Sequence, residues 1–344
     1  GNSYTIRLGP GGISGTQGLS VMGQGVRLDV GTTDQTWNVP LNNFRATMVG
    51  TATITYTHAS RLLLRSNANF DFEGTWRADG GLIHPEQETD WSGSNDQVVG
   101  ELLNGGGLRL SHNKSYNRIA VNLTGDGFLM ATGASADDGQ ASTLTTGSWA
   151  KHGDIWGSGN LTATAESSYG KLIVNGDVSH TGDTTVDSKS AGMTLELGST
   201  STYTFTPAAN GLCNQIKGLD GSNSKLNAMG TFIINTADAD ISDGNVWTLV
   251  DVETLAETFS GSFTVQGYSE AANVWTLVDG NKTWTFAEAT GLLSLAVTEG
   301  ETASNTLFST DFESDSIGSE PTGFANLEDT GFPGNSLNVA AQES

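Results

Sequence analysis

The 344-residue chain has one cysteine, six prolines and only 15 lysines and arginines. Each shortage excludes something. A lone Cys213 rules out an intrachain disulfide framework. Beside Leu212 and near Ile216 it reads as a small apolar packing residue rather than a nucleophile. No run of 18 apolar residues occurs, so the sequence offers no transmembrane helix. Helical periodicity is nearly absent as well. The best candidate, residues 252–259, amounts to about two turns and is weakened by Thr254 and Thr258. Arginine disappears after Arg118. Residues 1–118 hold ten acids against eight Arg and one Lys, whereas residues 119–344 hold 28 acids against six Lys. With a formal net charge of −23, such a surface repels nucleic acid and anionic headgroups, which need clustered Lys and Arg. Nucleic-acid binding is excluded on that ground.

What is present is a vocabulary of strands and turns. Glycine numbers 45, and the polar surface is drawn from Thr, Ser and Asn rather than from charge. Short β-branched and aromatic runs recur about every 8–12 residues, separated by turn signals such as Thr124-Gly125-Asp126-Gly127 and Asn175-Gly176-Asp177. The heptapeptide Asn-Val-Trp-Thr-Leu-Val-Asp occurs twice, from Asn245 and from Asn273, 28 residues apart. A period in that range is what stacked repeat units show. The strands are too short and too many for one ordinary sandwich. The expected fold is therefore all-β: a parallel β-helix, or β-solenoid, over residues 1–300 with a subdivision near 150. A tandem of β-sandwiches is the alternative. Residues 301–344 carry eight acids and no Lys or Arg, and read as an acidic arm, a linker or the truncated start of a further domain. The chain begins at Gly1 with neither Met nor a signal peptide, and so reads as a piece of something longer.

The C-terminal half carries a resemblance. The series Gly176-Asp177-Val178, Leu195-Glu196-Leu197, Gly244 through Asp251, Thr258-Phe259 and Gly291 through Leu295 resembles bacterial surface proteins of the autotransporter-associated β-strand repeat type. That resemblance implies a right-handed parallel β-helix and a secreted, cell-surface location. Residues 311–324 resemble the opening of laminin-G/concanavalin-like modules. Together the two cover about residues 155–325, on loose patterns, and bring no catalytic residues with them.

No constellation of catalytic residues stands out. The five histidines (His58, His84, His112, His152 and His180) are scattered singly and read as surface or turn residues. Parallel β-helices often host polysaccharide lyases and hydrolases, which need paired carboxylates or a Ca²⁺ site with a basic proton acceptor. Asp137-Asp138 is a poor pair, because adjacent strand residues face opposite ways. Glu86, Glu88 and Asp90 follow Pro85 and read as a solvated loop, with Arg109 and Arg118 as the available bases. No motif requires a cofactor. A structural Ca²⁺ would find oxygen ligands at Asp238, Asp240 and Asp243, where a plain Asp-rich turn is the competing reading. Trp76, Trp91, Trp149 and Trp156 sit among Gly, Asp and Ser and are the candidates for stacking on sugar rings. Trp247, Trp275 and Trp284 sit in strand patterns and read as core.

These features point first to a structural or adhesive protein of the bacterial exterior. Such a protein would join head to tail into a filament, with Phe308, Phe312, Phe324 and Phe332 as assembly anchors. Few cysteines, few lysines and abundant Thr, Asn and Gly fit that compartment. The alternative is a carbohydrate-binding or polysaccharide-cleaving module of a secreted mosaic protein. The partners expected are thus further copies of the chain or surface glycans.

Overall fold

Alternation at a period of two places every second side chain on one side of a strand, and short alternating segments build nearly all of this molecule. In the Thr75–Asp79 strand, Trp76 and Ala78 are fully buried while Thr75, Arg77 and Asp79 face outward. A computed structural model describes residues 4–21, 26–65, 71–86, 91, 98–133, 141–166, 169–189, 191–219 and 221–298. Phe308, Phe312, Phe324 and Phe332 lie outside the described residues, as do Glu88, Asp90, Asp137 and Asp138.

The strands coil into a parallel β-helix. Thr53 pairs with Thr75, Thr75 with Val99 and Val99 with Ala120, always in parallel, so each strand lies on its equivalent one coil earlier. Eleven strands stack this way in one sheet, from Ile13–Ser14 to Thr264–Val265. Nine stack in a second sheet, from Leu19–Val21 to Ile216–Gly218. Among the described residues the remaining face falls into two sheets. A four-strand sheet ends at Asp71–Phe72, and a six-strand sheet begins at Lys114–Tyr116. Parallel pairing throughout these sheets excludes the tandem of β-sandwiches, whose strands pair antiparallel.

Inward side chains of successive coils merge into one core. Near the N-terminus it is aromatic, with Trp76 in ring contact with Trp37, Phe72 and Trp91. At the corners, short polar side chains link one coil to the next. Asp126 Oδ1 accepts from the Asn160 backbone N–H and side-chain amide, Asn160 Oδ1 accepts from the Asp183 N–H, and Asp183 accepts from Gln215 N–H and Lys217 Nζ. The coils differ in length. Gln35 pairs with Ile54, 19 residues on, whereas Val121 pairs with Ile155, 34 residues on. The ladders continue across residue 150 from Gly127–Ala131 to Leu161–Ala165.

Two expectations change. The two heptapeptide copies are not successive coils. Val246–Thr248 and Val274–Asp279 both lie in a five-strand antiparallel sheet that follows the solenoid, separated there by Lys282–Ala287 and Leu292–Val297. The repeat serves the same inward need in both places, since Trp247 and Trp275 are buried, Trp247 against Trp284 and Trp275 against Phe263. The helix candidate at 252–259 is instead the strand Leu255–Phe259, pairing in parallel from Lys225 to Ala228. A ready-made sheet edge outweighs a weak two-turn propensity. No helix occurs among the described residues, and so none is long and apolar enough to cross a membrane.

Candidate binding face

The outward side of the nine-strand sheet concentrates the unusual chemistry. Parallel register sets Leu63 beside His84 and His84's strand beside that of Arg109, with Ile83 opposite Leu108. Arg109 then pairs with Met130, Met130 with Thr164 and Thr164 with Asp187. A parallel row runs Arg61, Leu82, Gly107, Phe128 and Thr162. Alternation turns all of these residues outward, because Leu62, Leu64, Ile83, Leu108 and Leu129 fill the core from the same strands.

His84 is the centre of a network. Arg109 Nη1 lies 2.9 Å from its Nδ1, and Ser111 Oγ lies 2.9 Å from its Nε2. A guanidinium only donates, so Nδ1 is the acceptor and the ring proton sits on Nε2, donated to Ser111. Arg109 also donates through Nη2 to Glu166. The Ser111 N–H donates to the Tyr116 hydroxyl, which in turn donates to the Pro85 carbonyl. Burial, followed by the charges of Arg109, Arg61 and Arg65, depresses the imidazole pKa to about 3. The ring is neutral at any ordinary pH and is held at both nitrogens.

Next to the network lies a depression of about 190 Å³, floored by Phe128, Met130 and Thr162 and edged by Asp126, Asp187 and Lys189. Glycine makes the floor possible. A Cβ on Gly107 would stand 2.4 Å from the Phe128 ring, so the ring lies on that glycine's backbone. A second depression of about 490 Å³, lined in part by Asp251, Glu253 and Thr290, lies near the antiparallel sheet and has no cationic lining residue.

The sequence candidates are dispersed by the fold. Trp76 and Trp91 are fully buried and present no face to a sugar. The Trp76 indole donates to the Trp91 carbonyl at 3.2 Å, and the Trp91 indole donates to Val98 at 3.2 Å. Their polar neighbours misled because those neighbours are the outward half of an alternation. Trp149 and Trp156 are half-buried and lie elsewhere, Trp156 on the eleven-strand sheet with the Lys151 ammonium 5.4 Å from its ring. Asp238, Asp240 and Asp243 are exposed. Asp240 Oδ1 accepts from the Ser242 N–H and hydroxyl, and Asp243 Oδ1 accepts from the Val297 N–H, so these two carboxylates fasten turns. No cluster of three possible metal ligands occurs among the described residues. Glu86 faces Arg65 at 3.9 Å.

The reading of all five histidines as surface or turn residues is corrected. His84, His152 and His180 are buried, the last bonded to Gly159 and Thr184. Turn-like neighbours such as Thr181-Gly182 hid this, because a solenoid corner is covered by the corners above and below it. Cys213 behaves as expected, with burial raising its thiol to about 12. Sequence reasoning named Arg109 only as a base and missed Arg61, Phe128 and Glu166. The readable signal was the confinement of all arginine to residues 1–118.

The fold defines a parallel β-helix closed by an antiparallel sheet. Comparison with protein-family models and with curated proteins finds no match to this chain.

Proposed function

We propose that the protein is a structural and adhesive module of the bacterial cell exterior that holds glycan on the flank of a stiff β-helix. One observation carries this reading: the outward face of the nine-strand sheet, where the apolar floor at Phe128 and Met130 adjoins the His84–Arg109–Glu166 network. Sugar rings present C–H faces to aromatic surfaces and hydroxyls to charged, pre-oriented donors, and this face supplies both. A rigid sheet holds those groups without loop ordering on binding.

The same geometry favours binding over cleavage. A general base must be free to take a proton near neutral pH. His84 has both nitrogens engaged and titrates at about 3, while Glu166 is held by Arg109. A glycan array followed by titration calorimetry tests the reading. Saccharide binding that Phe128→Ala abolishes, with no new reducing or unsaturated ends, supports it. Absence of binding to every saccharide rejects it.

A second reading, assembly into a head-to-tail filament, is favoured by the first coil. Among the described residues the Tyr4–Arg7 strand is bonded on one side only, to Val26–Asp29, and Tyr4 and Ile6 are 65% and 48% exposed. An open edge of this kind accepts another strand. Sedimentation at increasing concentration tests it. Growth that Ile6→Lys blocks supports the filament, and a concentration-independent monomer removes it.

A further inference from the structure

Among the described residues the arginines on the binding face outnumber the carboxylates that answer them. Arg65 lies opposite Glu86 on the neighbouring strand, with Arg45 next to Arg65 on the other side, since the Arg65 N–H donates to Phe44. Arg61 opens the strand Arg61–Leu64, which Arg65 directly follows, and is close enough to feel Arg109, Arg65, Glu166 and Glu86. Among the described residues four guanidiniums therefore share one patch with two carboxylates, and His84 among them is neutral. Among the described residues the buried Nε–H groups of Arg45, Arg65 and Arg109 find no hydrogen-bond acceptor, and the Glu86 carboxylate stands 3.9 Å from that of Arg65. Buried donors without acceptors are costly, and like charges crowded in this way raise the cost further. In a chain of net charge −23, such a patch is not general surface character.

An oxyanion would relieve the crowding of like charges. Guanidinium forks match carboxylate and sulfate oxygens bidentately. The apolar surface lies immediately alongside. Leu82 separates Arg61 from Gly107, on which the Phe128 ring rests, and strands are about 4.8 Å apart. We propose that Arg61, Arg65 and Arg109 hold the carboxylate or sulfate of an acidic saccharide whose ring lies over Leu82 and Phe128. Asp187 and Lys189 stand at the far end of the same face, three strands from Arg109. The acidic group is thereby oriented toward the arginines and away from Asp187.

This inference rests on the glycan-binding reading and specifies its ligand. The test is calorimetric titration of the intact chain with an oligogalacturonate, a sulfated galactan oligosaccharide, cellohexaose and sodium sulfate, at low and high salt. Arg61→Gln is the diagnostic variant. Arg7→Gln is the control, since Arg7 is exposed, bonds Asp29 and lies on the four-strand sheet. The expected result is binding of one or both acidic oligosaccharides, weakened about ten-fold or more by Arg61→Gln and by salt, and unchanged by Arg7→Gln. The carboxylated and sulfated arms distinguish the two anions. Cellohexaose bound as tightly as the acidic probes, with Arg61→Gln silent, overturns the anion site and leaves glycan binding standing. Sulfate binding with no saccharide binding overturns both.

Discussion

His84 Nδ1 accepts a hydrogen bond from Arg109 at 2.9 Å, and this one contact fixes both the tautomer and the charge of the ring. Protonating Nδ1 would break the bond and set an imidazolium among Arg109, Arg61 and Arg65. His180, buried against Gly159 and Thr184 with Asp183 near, has its pKa lowered to about 4 for the same first reason, desolvation. Well above pH 6.5 both rings are neutral in folded and unfolded chains alike. As pH falls below 6.5 the unfolded chain takes up protons that the folded chain refuses, so stability declines toward pH 4 and pH 3. From pH 6.5 to 5 the loss is roughly 1.5 kcal/mol per histidine. His84→Gln keeps an acceptor for Arg109 and a donor for Ser111 but does not titrate. Urea melts at pH 7 and pH 5 are expected to show a smaller loss for this variant, and identical pH profiles would refute the assignment.

Gly107→Ala is expected to evict the Phe128 ring, because the added Cβ would stand 2.4 Å from it. The ring faces outward, so the effect falls on binding. Titration with the saccharide selected by the array should show weakening of about ten-fold or more, with the denaturation midpoint little moved. Unchanged affinity would mean that the ring contributes nothing to the site.

Trp76→Ala should do the reverse. Its indole is fully buried between Trp37, Phe72 and Trp91, and deleting such a side chain costs about 3–5 kcal/mol. At temperatures where the variant remains folded, its affinity for saccharide is expected to match that of the parent chain. Calorimetry on the folded variant checks this, and lost affinity would return Trp76 to the list of ligand contacts.

Calcium is expected to matter little. Asp240 and Asp243 already hold Ser242 and Val297. Melting with excess chelator and with millimolar Ca²⁺ should give coincident curves. A chelator-induced drop that Asp243→Asn abolishes would establish a structural ion at the turn.

The strand-and-turn texture carried the fold class, because alternation and corner residues act locally. Runs such as Leu161–Ala165 and Met193–Leu197 are strands with every second residue inside. Segments such as Thr75–Asp79 and Leu82–Pro85 are less legible, since Trp76 has a polar residue on each side and His84 interrupts its own apolar run. The heptapeptide misled about register. Identical letters meant identical burial of Trp247 and Trp275, not adjacent coils. The binding face was the least legible part. Arg61, His84, Arg109 and Phe128 belong to four strands and Glu166 directly follows a fifth, and only parallel stacking at unequal coil lengths brings them to one surface. No linear spacing encodes that. Arginine's restriction to one third of the chain was its only trace in the sequence.

The division of one face into a four-strand and a six-strand sheet has a mechanical consequence. Tension along the solenoid axis loads the inter-coil ladders in series, and the chain yields where the fewest ladders bear the load. Between Asp71–Phe72 and Lys114–Tyr116 that face lacks a continuous ladder among the described residues. The junction is carried there by Thr75–Asp79 on Val99–Leu103 and by Leu82–Pro85 on Gly106–Leu110. Relative motion of these two coils is therefore resisted in part by the ladder that bears His84 and Arg109 on its outward side. Ladders in series bear the same force, so strain at this junction would be felt directly in the hydrogen bond between His84 and Arg109.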